Sequence, residues 1–204
     1  MLERYEVGRN SLREALRLLE VSGLLRIRMG AGGGPEVADR SGDQLSRSMR
    51  LYFQTLGVTF RDVVTARRTL EPLVAREAAE HGSPEFKDRL FQLALGEANH
   101  KTQFTEAARE FHDLLVSHNP SNPILALFVK AVSQVYADLV RTRGPREVRP
   151  DHDDIDAEHV AIATAIADGD GDSAERLMAR HLADLAEYVE SQYAMSLDDV
   201  VEWT

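Results

Sequence analysis

Three of the chain's seven histidines, His112, His159 and His181, are spaced so that side chains from different helices could share one ligand. The break DGDGD separates the segments that carry His159 and His181. If the two segments are helices folded antiparallel about Asp170, each histidine lies eleven residues from the turn. Both then lie at one level of a bundle, where His112 can join them, and three neutral imidazoles would bind Zn²⁺, Ni²⁺ or a similar ion. The alternative is three separate core or surface histidines.

A second group of residues suits contact with DNA. Arg9, Asn10 and Arg13 begin a short amphipathic segment, in which Arg9 and Arg13 share one helical face. LLRIRM then alternates apolar and basic residues, and GAGGGP, which contains Gly30, predicts the tip of a β-hairpin. A helix followed by a glycine-tipped wing is typical of a winged helix-turn-helix, whose helix enters the major groove. A solvated amphipathic face is the alternative.

Composition narrows the chemistry. The 204 residues are 43% hydrophobic and 28% charged, which is typical of a folded globular chain. Because cysteine is absent, disulfides, thiolate zinc sites and cysteine nucleophiles are excluded, and a metal must be held by His, Asp, Glu or water. No apolar run reaches the ~18 residues of a membrane span, and the first residues lack the apolar segment of a signal peptide. We therefore expect a cytoplasmic protein without a membrane partner.

Charge is distributed unevenly along the chain. The net charge is −10, but the first 50 residues carry nine arginines and seven acids, whereas the remaining 154 carry fifteen bases and twenty-seven acids. The first segment is therefore suited to an anionic partner such as DNA, and the second is not.

Helical periodicity dominates the sequence and predicts an all-α fold. A helix is expected to start at about Asn10, with Asn10 or Ser11 as its cap, and to stop at Gly23. No segment other than the hairpin has strand patterning, and Asp172 is the expected N-cap of the last helix. Seven further helices are predicted at 42–56, 60–81, 84–101, 103–117, 122–142, 155–168 and 172–194. The expected architecture is a partial winged helix-turn-helix domain, 1–40, followed by a seven-helix antiparallel bundle, 41–204.

These segments resemble a known family of regulators. VGRNSLREALRLLEVSGLLRIRMGAGG resembles the second half of the GntR-family DNA-binding domain. The helical remainder is similar to the FCD ligand-binding domain of the FadR-type branch, through ARRTLEP, EFH, SNPIL, EHVAIATAIADGD and HL. The resemblance implies that Arg9, Asn10, Arg13 and the wing at Gly30 contact DNA.

The resemblance also implies a metal in the helical domain, held by three histidines matching His112, His159 and His181 and by an aspartate one turn before the first. Ala108 occupies that aspartate position here. Arg67 matches a family residue that faces the effector cavity, although its spacing from Glu71 also fits an intrahelical ion pair on the surface. Because Ala108 supplies no acid, we expect an effector carboxylate to bridge Arg67 and the metal.

One departure from the family concerns the beginning of the chain. The family's domain starts with a helix thirty or more residues before the recognition helix, whereas Met1 lies almost inside the second helix. Three alternative explanations fit this departure: a misplaced start codon, a truncation of the protein, or a loss of DNA binding. The sequence does not distinguish them.

The function expected from these patterns is a homodimeric transcriptional repressor that is not an enzyme and binds operator DNA and a small carboxylate. The main alternative is a remnant ligand-binding protein that no longer binds DNA. A metal-dependent hydrolase built on the three histidines is a weaker alternative, because no general base accompanies them at a motif spacing.

Overall fold

The structure is a computed structural model that describes residues 6–38, 43–99, 104–117, 122–143, 153–192 and 196–201. The chain divides into two compact units, Met1–Leu45 and Ser46–Thr204. Each unit is described by itself below.

The first unit begins with helix α1, Arg9–Val21. Gly8 occupies the N-cap position without a side-chain cap, so the expected cap at Asn10 or Ser11 is wrong. The helix ends as predicted at Gly23, whose φ of 70° lies in the left-handed region. There the Leu24 N–H donates to Leu19 O at 2.9 Å, which is the six-to-one bond of a Schellman motif.

A two-stranded hairpin follows α1, as the alternation of LLRIRM predicts. Strands β1 (Leu25–Arg28) and β2 (Gly34–Val37) are antiparallel, and Leu25 lies opposite Val37. Gly30 has a φ of 101°, a conformation that favours glycine in this tight turn. In β1 the half-buried and exposed side chains alternate, so the arginines of the strand point to solvent.

Seven further helices follow within the described residues, and each one overlaps a predicted segment. They are α2 (Asp43–Leu56), α3 (Phe60–His81), α4 (Pro84–Asn99), α5 (Phe104–Ser117), α6 (Pro123–Arg143), α7 (Asp153–Asp168) and α8 (Gly171–Gln192). The all-α architecture expected from periodicity is therefore confirmed.

Helix α3 is central to the bundle, since it packs against α5, α6, α7 and α8. The largest completely buried apolar side chains come from all of these helices and from α4, and they form one core: Phe60, Phe111, Leu90, Leu115, Leu139, Ile162, Ile166 and Met178. The functional side chains described below are embedded in this core.

Helix α6 is long and apolar enough to cross a membrane by length and composition, with a mean hydropathy of 1.5 over residues 123–141. The sequence patterns led us to expect no such segment. In the structure its residues Val129, Val135 and Leu139 are buried in the bundle core. These side chains pack in the core of the same chain, whereas Ile124, Leu127 and Phe128 of the same helix are exposed.

A short segment near the end of the chain adds strand pairing that periodicity did not predict. Thr59 and Val200 form an isolated antiparallel bridge, and the Val201 N–H donates to Val58 O at 2.9 Å. Val201 is 2% exposed. The expectation of no strand character outside the hairpin is wrong at this point, because a single bridge leaves no alternating pattern in the sequence.

Candidate metal centre

The turn between α7 and α8 positions two of the three candidate histidines. Gly169, with a φ of 76°, follows the end of α7. Asp170 then caps α8, because its Oδ1 accepts the Ser173 N–H at 3.0 Å. The cap is therefore Asp170 and not Asp172, whose carboxylate binds Arg76 at 2.8 Å.

The structure brings all three histidines together in the buried interior of the bundle. His112 from α5, His159 from α7 and His181 from α8 are 4%, 0% and 1% exposed. His181 Nε2 lies 3.2 Å from His112 Nε2 and 3.2 Å from His159 Nε2. His159 and His181, which are equally far from Asp170 along the chain, therefore lie at the same level of the antiparallel helices α7 and α8.

Carboxylates face the outer nitrogens of two of these rings. Glu71 Oε2 lies 2.7 Å from His112 Nδ1, and Glu158 Oε2 lies 2.9 Å from His181 Nδ1. The His159 ring stacks on Phe111, with 4.2 Å between the ring centroids. Each ring is thereby contacted from outside the cluster, in the way that carboxylates and other neighbours orient metal-binding histidines.

Burial keeps two of the imidazoles neutral. It lowers the pKa of His112 to about 4, although the nearby Glu71 carboxylate acts in the opposite direction. Burial, together with the charges of His181 and His112, lowers the pKa of His159 well below its usual value. Neutral imidazoles have a free lone pair, so these rings can serve as ligands at pH 7.

The donor set fits a divalent transition metal. If the Glu71 and Glu158 carboxylates each accept an Nδ1 proton, the inner Nε2 atoms of His112 and His181 face each other with their lone pairs at 3.2 Å. A cation between them relieves that repulsion. Two nitrogens that each lie 2.0–2.1 Å from a tetrahedral Zn²⁺ are about 3.3 Å apart, close to the separation seen here. Ala108, one turn before His112 in α5, carries no ligand atom.

Arg67 does not have the environment that the sequence patterns led us to expect. Its Nε donates to Glu71 Oε1 at 2.6 Å, which is the pair predicted by the spacing. The pair is not on the surface, because Arg67 is 5% exposed and Glu71 is 0% exposed. Glu71 therefore balances the charge of Arg67 inside the bundle.

Glu71 is ionised in this network. Burial by itself would raise the pKa of Glu71, but the charges of Arg67 and His112 outweigh it and hold the pKa far below its usual range. The Arg67 guanidinium also lies over the Tyr136 ring, 4.3 Å from the centroid. Ser133 Oγ donates to Glu71 as well.

Sequence reasoning missed three residues of the site: Glu71 as a buried acid, Glu158 and Ser133. A signal for Glu71 was present, since Arg67 and Glu71 share the helical face that carries buried Val64, Val74 and Ala78. Glu158 is adjacent to His159 in sequence but contacts His181, so only the pairing of α7 with α8 reveals its role.

The predicted DNA-binding residues lie in the first unit. Arg9, Asn10 and Arg13 are exposed on α1, and Gly30 is exposed in the hairpin turn. Arg26 and Arg28 of the wing contact Glu36 on the opposite strand, at 3.6 and 3.2 Å. These two ion pairs lie within the hairpin and do not involve Arg9 or Arg13, which stay exposed on α1.

Comparison with known proteins is consistent with this architecture. Residues 62–184 match the FCD domain. The chain is 30% identical over 185 residues to the HTH-type transcriptional repressor NanR of Cronobacter sakazakii, which covers 87% of this chain and 70% of that protein. It is 34% identical over 133 residues to the Uxu operon transcriptional regulator of Escherichia coli K12, which covers 53% of this chain and 51% of that protein. This second match spans about half of the relative's length.

Solved structures have the same fold. Streptococcus agalactiae GntR superposes with a TM-score of 0.62 at 21% identity, covering 91% of this chain and 85% of that one. E. coli McbR/YncC superposes with a TM-score of 0.50 at 15% identity, covering 88% and 83%.

A helix followed by a two-stranded wing, together with a helical bundle, is the architecture of a GntR-like transcriptional regulator. The chain belongs to the GntR family of transcriptional regulators, in the branch that carries an FCD domain.

Proposed function

We propose that this chain is a one-component transcriptional repressor, a cytoplasmic homodimer whose helical unit binds a divalent metal ion and a small organic acid. The observation that carries the proposal is the buried cluster of His112, His159 and His181, with Nε2 atoms 3.2 Å apart. The name of the similar NanR protein, a transcriptional repressor, supports the sign of regulation. No catalytic step is assigned to any residue.

Zn²⁺ or Ni²⁺ is the proposed ion, because three imidazole nitrogens without a thiolate suit these metals. His112, His159 and His181 would hold it. The bound ion would supply a positive charge and a Lewis-acidic position for an anionic ligand. Since Ala108 provides no carboxylate, that position is left for the effector.

The proposed effector is a carboxylate that contacts the ion and Arg67. The contacts of Arg67 with Glu71 use Nε and Nη2, at 2.6 and 3.5 Å, so the Nη1 edge of the guanidinium is left for a ligand. Glu71 already balances the charge of Arg67. The carboxylate effector would therefore neutralise the charge of the metal ion rather than that of the arginine.

DNA binding is proposed for the exposed residues Arg9, Asn10 and Arg13 and for the wing at Gly30. Arginine side chains on the first turns of a recognition helix suit bidentate contacts with guanine and phosphate. One such helix reads few base pairs, so a homodimer on a two-fold symmetric site is part of the proposal.

The test is binding of the purified protein to DNA from upstream of its own gene, measured by fluorescence anisotropy at several salt concentrations, with and without metal and carboxylates. Light scattering gives the oligomeric state. We expect a salt-dependent complex of a dimer that a carboxylate weakens only when metal is present. Metal and carboxylate binding without any DNA binding would instead support the remnant ligand-binding protein.

A further inference from the structure

Glu71 connects three polar side chains of different helices in the interior of the bundle. It is 0% exposed. Its Oε1 accepts from Arg67 Nε at 2.6 Å and from Ser133 Oγ, while its Oε2 lies 2.7 Å from His112 Nδ1. Arg67 Nη2 also approaches Oε2, at 3.5 Å, so the guanidinium contacts both oxygens, and Oε2 is the one that faces the histidine cluster.

This arrangement bears on which nitrogen of His112 carries the proton. His112 Nδ1 has no partner among the described residues that meets hydrogen-bond geometry, so its 2.7 Å approach to Oε2 is a close contact rather than an aligned hydrogen bond. A carboxylate paired with an arginine is an acceptor only, so this contact favours the tautomer with the proton on Nδ1. His112 then has its proton on Nδ1 and its lone pair on Nε2, the atom that lies 3.2 Å from His181 Nε2. The neutral ring is thereby ready to bind an ion through Nε2 without first moving a proton.

We propose that Glu71 is the positioning residue of the metal centre, and that Arg67 and Ser133 hold its carboxylate so that Oε2 stays on His112. This inference rests on the proposed function, since it assigns a role toward the ion held by the three histidines. Substitution of a residue that orients a metal-binding histidine typically weakens metal binding about 10- to 100-fold.

Glu158 provides a matched comparison within the same site. It faces His181 Nδ1 at 2.9 Å as Glu71 faces His112, but its side chain is 26% exposed, against 0% for Glu71. Water can replace an exposed carboxylate as the acceptor, whereas no water reaches Glu71 from bulk solvent without opening the core. The two glutamates therefore have unequal effects on the ion.

The Glu71→Gln variant tests the proposal because it reverses the donor pattern. If the amide oxygen stays on Arg67, the amide NH₂ faces His112 Nδ1 and donates to it. The His112 proton then moves to Nε2, where it points into the cluster and opposes the ion. In Glu158→Gln, water or a rotated amide can still accept the His181 proton.

The experiment is a Co²⁺ titration of untagged, chelator-treated protein, followed by the visible absorption of the bound ion. We expect Glu71→Gln to weaken Co²⁺ binding about 10- to 100-fold and Glu158→Gln to weaken it less than about threefold. In the Zn²⁺-loaded wild type, the His112 Hδ1 proton should give a downfield NMR signal that shifts in Glu71→Gln and remains in Glu158→Gln. Equal Co²⁺ affinity of wild type and Glu71→Gln, or a His112 ring bound through Nδ1, would overturn the role of Glu71.

A wild type that binds no Co²⁺ would instead overturn the metal site itself, so the two failures are distinguishable. Glu71→Gln leaves the buried Arg67 without its counterion, which can prevent folding. The double variant Arg67→Met with Glu71→Leu removes both charges and leaves no acceptor opposite His112 Nδ1. We expect the same weakening of Co²⁺ binding in this variant, and wild-type affinity in it would contradict the proposal.

Discussion

His159 and His181, twenty-two residues apart in sequence, place their Nε2 atoms 3.2 Å apart because the α7–α8 turn is centred on Asp170, at an equal distance from both. This short distance between the two Nε2 atoms depends on where the turn lies in the sequence. One residue more or less on either helix would rotate a histidine by about 100° away from its partner.

The first prediction concerns metal content. Elemental analysis of untagged wild-type protein should give about one Zn²⁺ or Ni²⁺ per chain, because three converging imidazoles form a tetrahedral or octahedral partial shell. His159→Ala removes one of them and should abolish the bound metal. His81→Ala is the control, since the His81 side chain is 54% exposed on α3 and lies outside the cluster. Unchanged metal content in His112→Ala, His159→Ala and His181→Ala would show that these histidines do not bind the metal.

The second prediction concerns the effector. In a thermal-shift screen, a mono- or dicarboxylate at a hundredfold excess over its Kd should stabilise the protein by about 2.7 kcal/mol, and chelator should remove the effect. Ala108→Asp supplies the missing anionic ligand, so it should strengthen metal binding and weaken the carboxylate shift. Ala108→Asn, which adds bulk without the charge, is the control. A carboxylate shift that survives both chelator and Arg67→Ala would rule out bridging.

The third prediction concerns DNA. Arg13→Ala should cost about 1–3 kcal/mol of binding free energy if the arginine reads a guanine, and the affinity should fall steeply with salt. Arg180→Ala is the matched control, because the Arg180 side chain is 77% exposed in the helical unit. DNA binding that depends neither on salt nor on Arg13 would contradict the assignment.

The fourth prediction concerns the cap that sets the α7–α8 turn. Asp170→Ala should lower the Tm of the metal-free protein by about 2–4 °C, because the Ser173 N–H loses its acceptor. Asp172→Ala should change the Tm less, since its surface ion pair with Arg76 contributes little. Equal effects of the two substitutions would contradict the assignment of the cap.

The stabilisation by Asp170 should also depend on pH in a defined direction. Its hydrogen bonds with Ser173 hold the pKa of Asp170 below its ordinary value of 3.8. The contribution of the charged cap is therefore complete above pH 3.8 and is lost as the pH falls through the lower folded-state pKa. The Tm difference between wild type and Asp170→Ala should stay constant from about pH 5 to 8 and shrink in stronger acid.

Local patterns were enough to predict the helices, the hairpin and the family, because periodicity, glycine position and short motifs are properties of neighbouring residues. The seven predicted segments overlap α2 to α8, and Gly23 ends α1 as expected. The meeting of His159 and His181 was also predictable, since it follows from counting residues on either side of one turn.

The balance of charge around the histidines depends instead on how the helices pack. Spacing along α3 predicts that Arg67 and Glu71 pair, but whether that pair lies in water or in the core depends on which neighbouring helices cover it. Because Glu71 is buried beside α5 and α6, its carboxylate contacts Arg67, Ser133 and His112 at once, although the spacing alone also fits a surface ion pair. The contacts of Glu71 with His112 and Ser133 join residues 41 and 62 positions apart, and the sequence carries no period that records them.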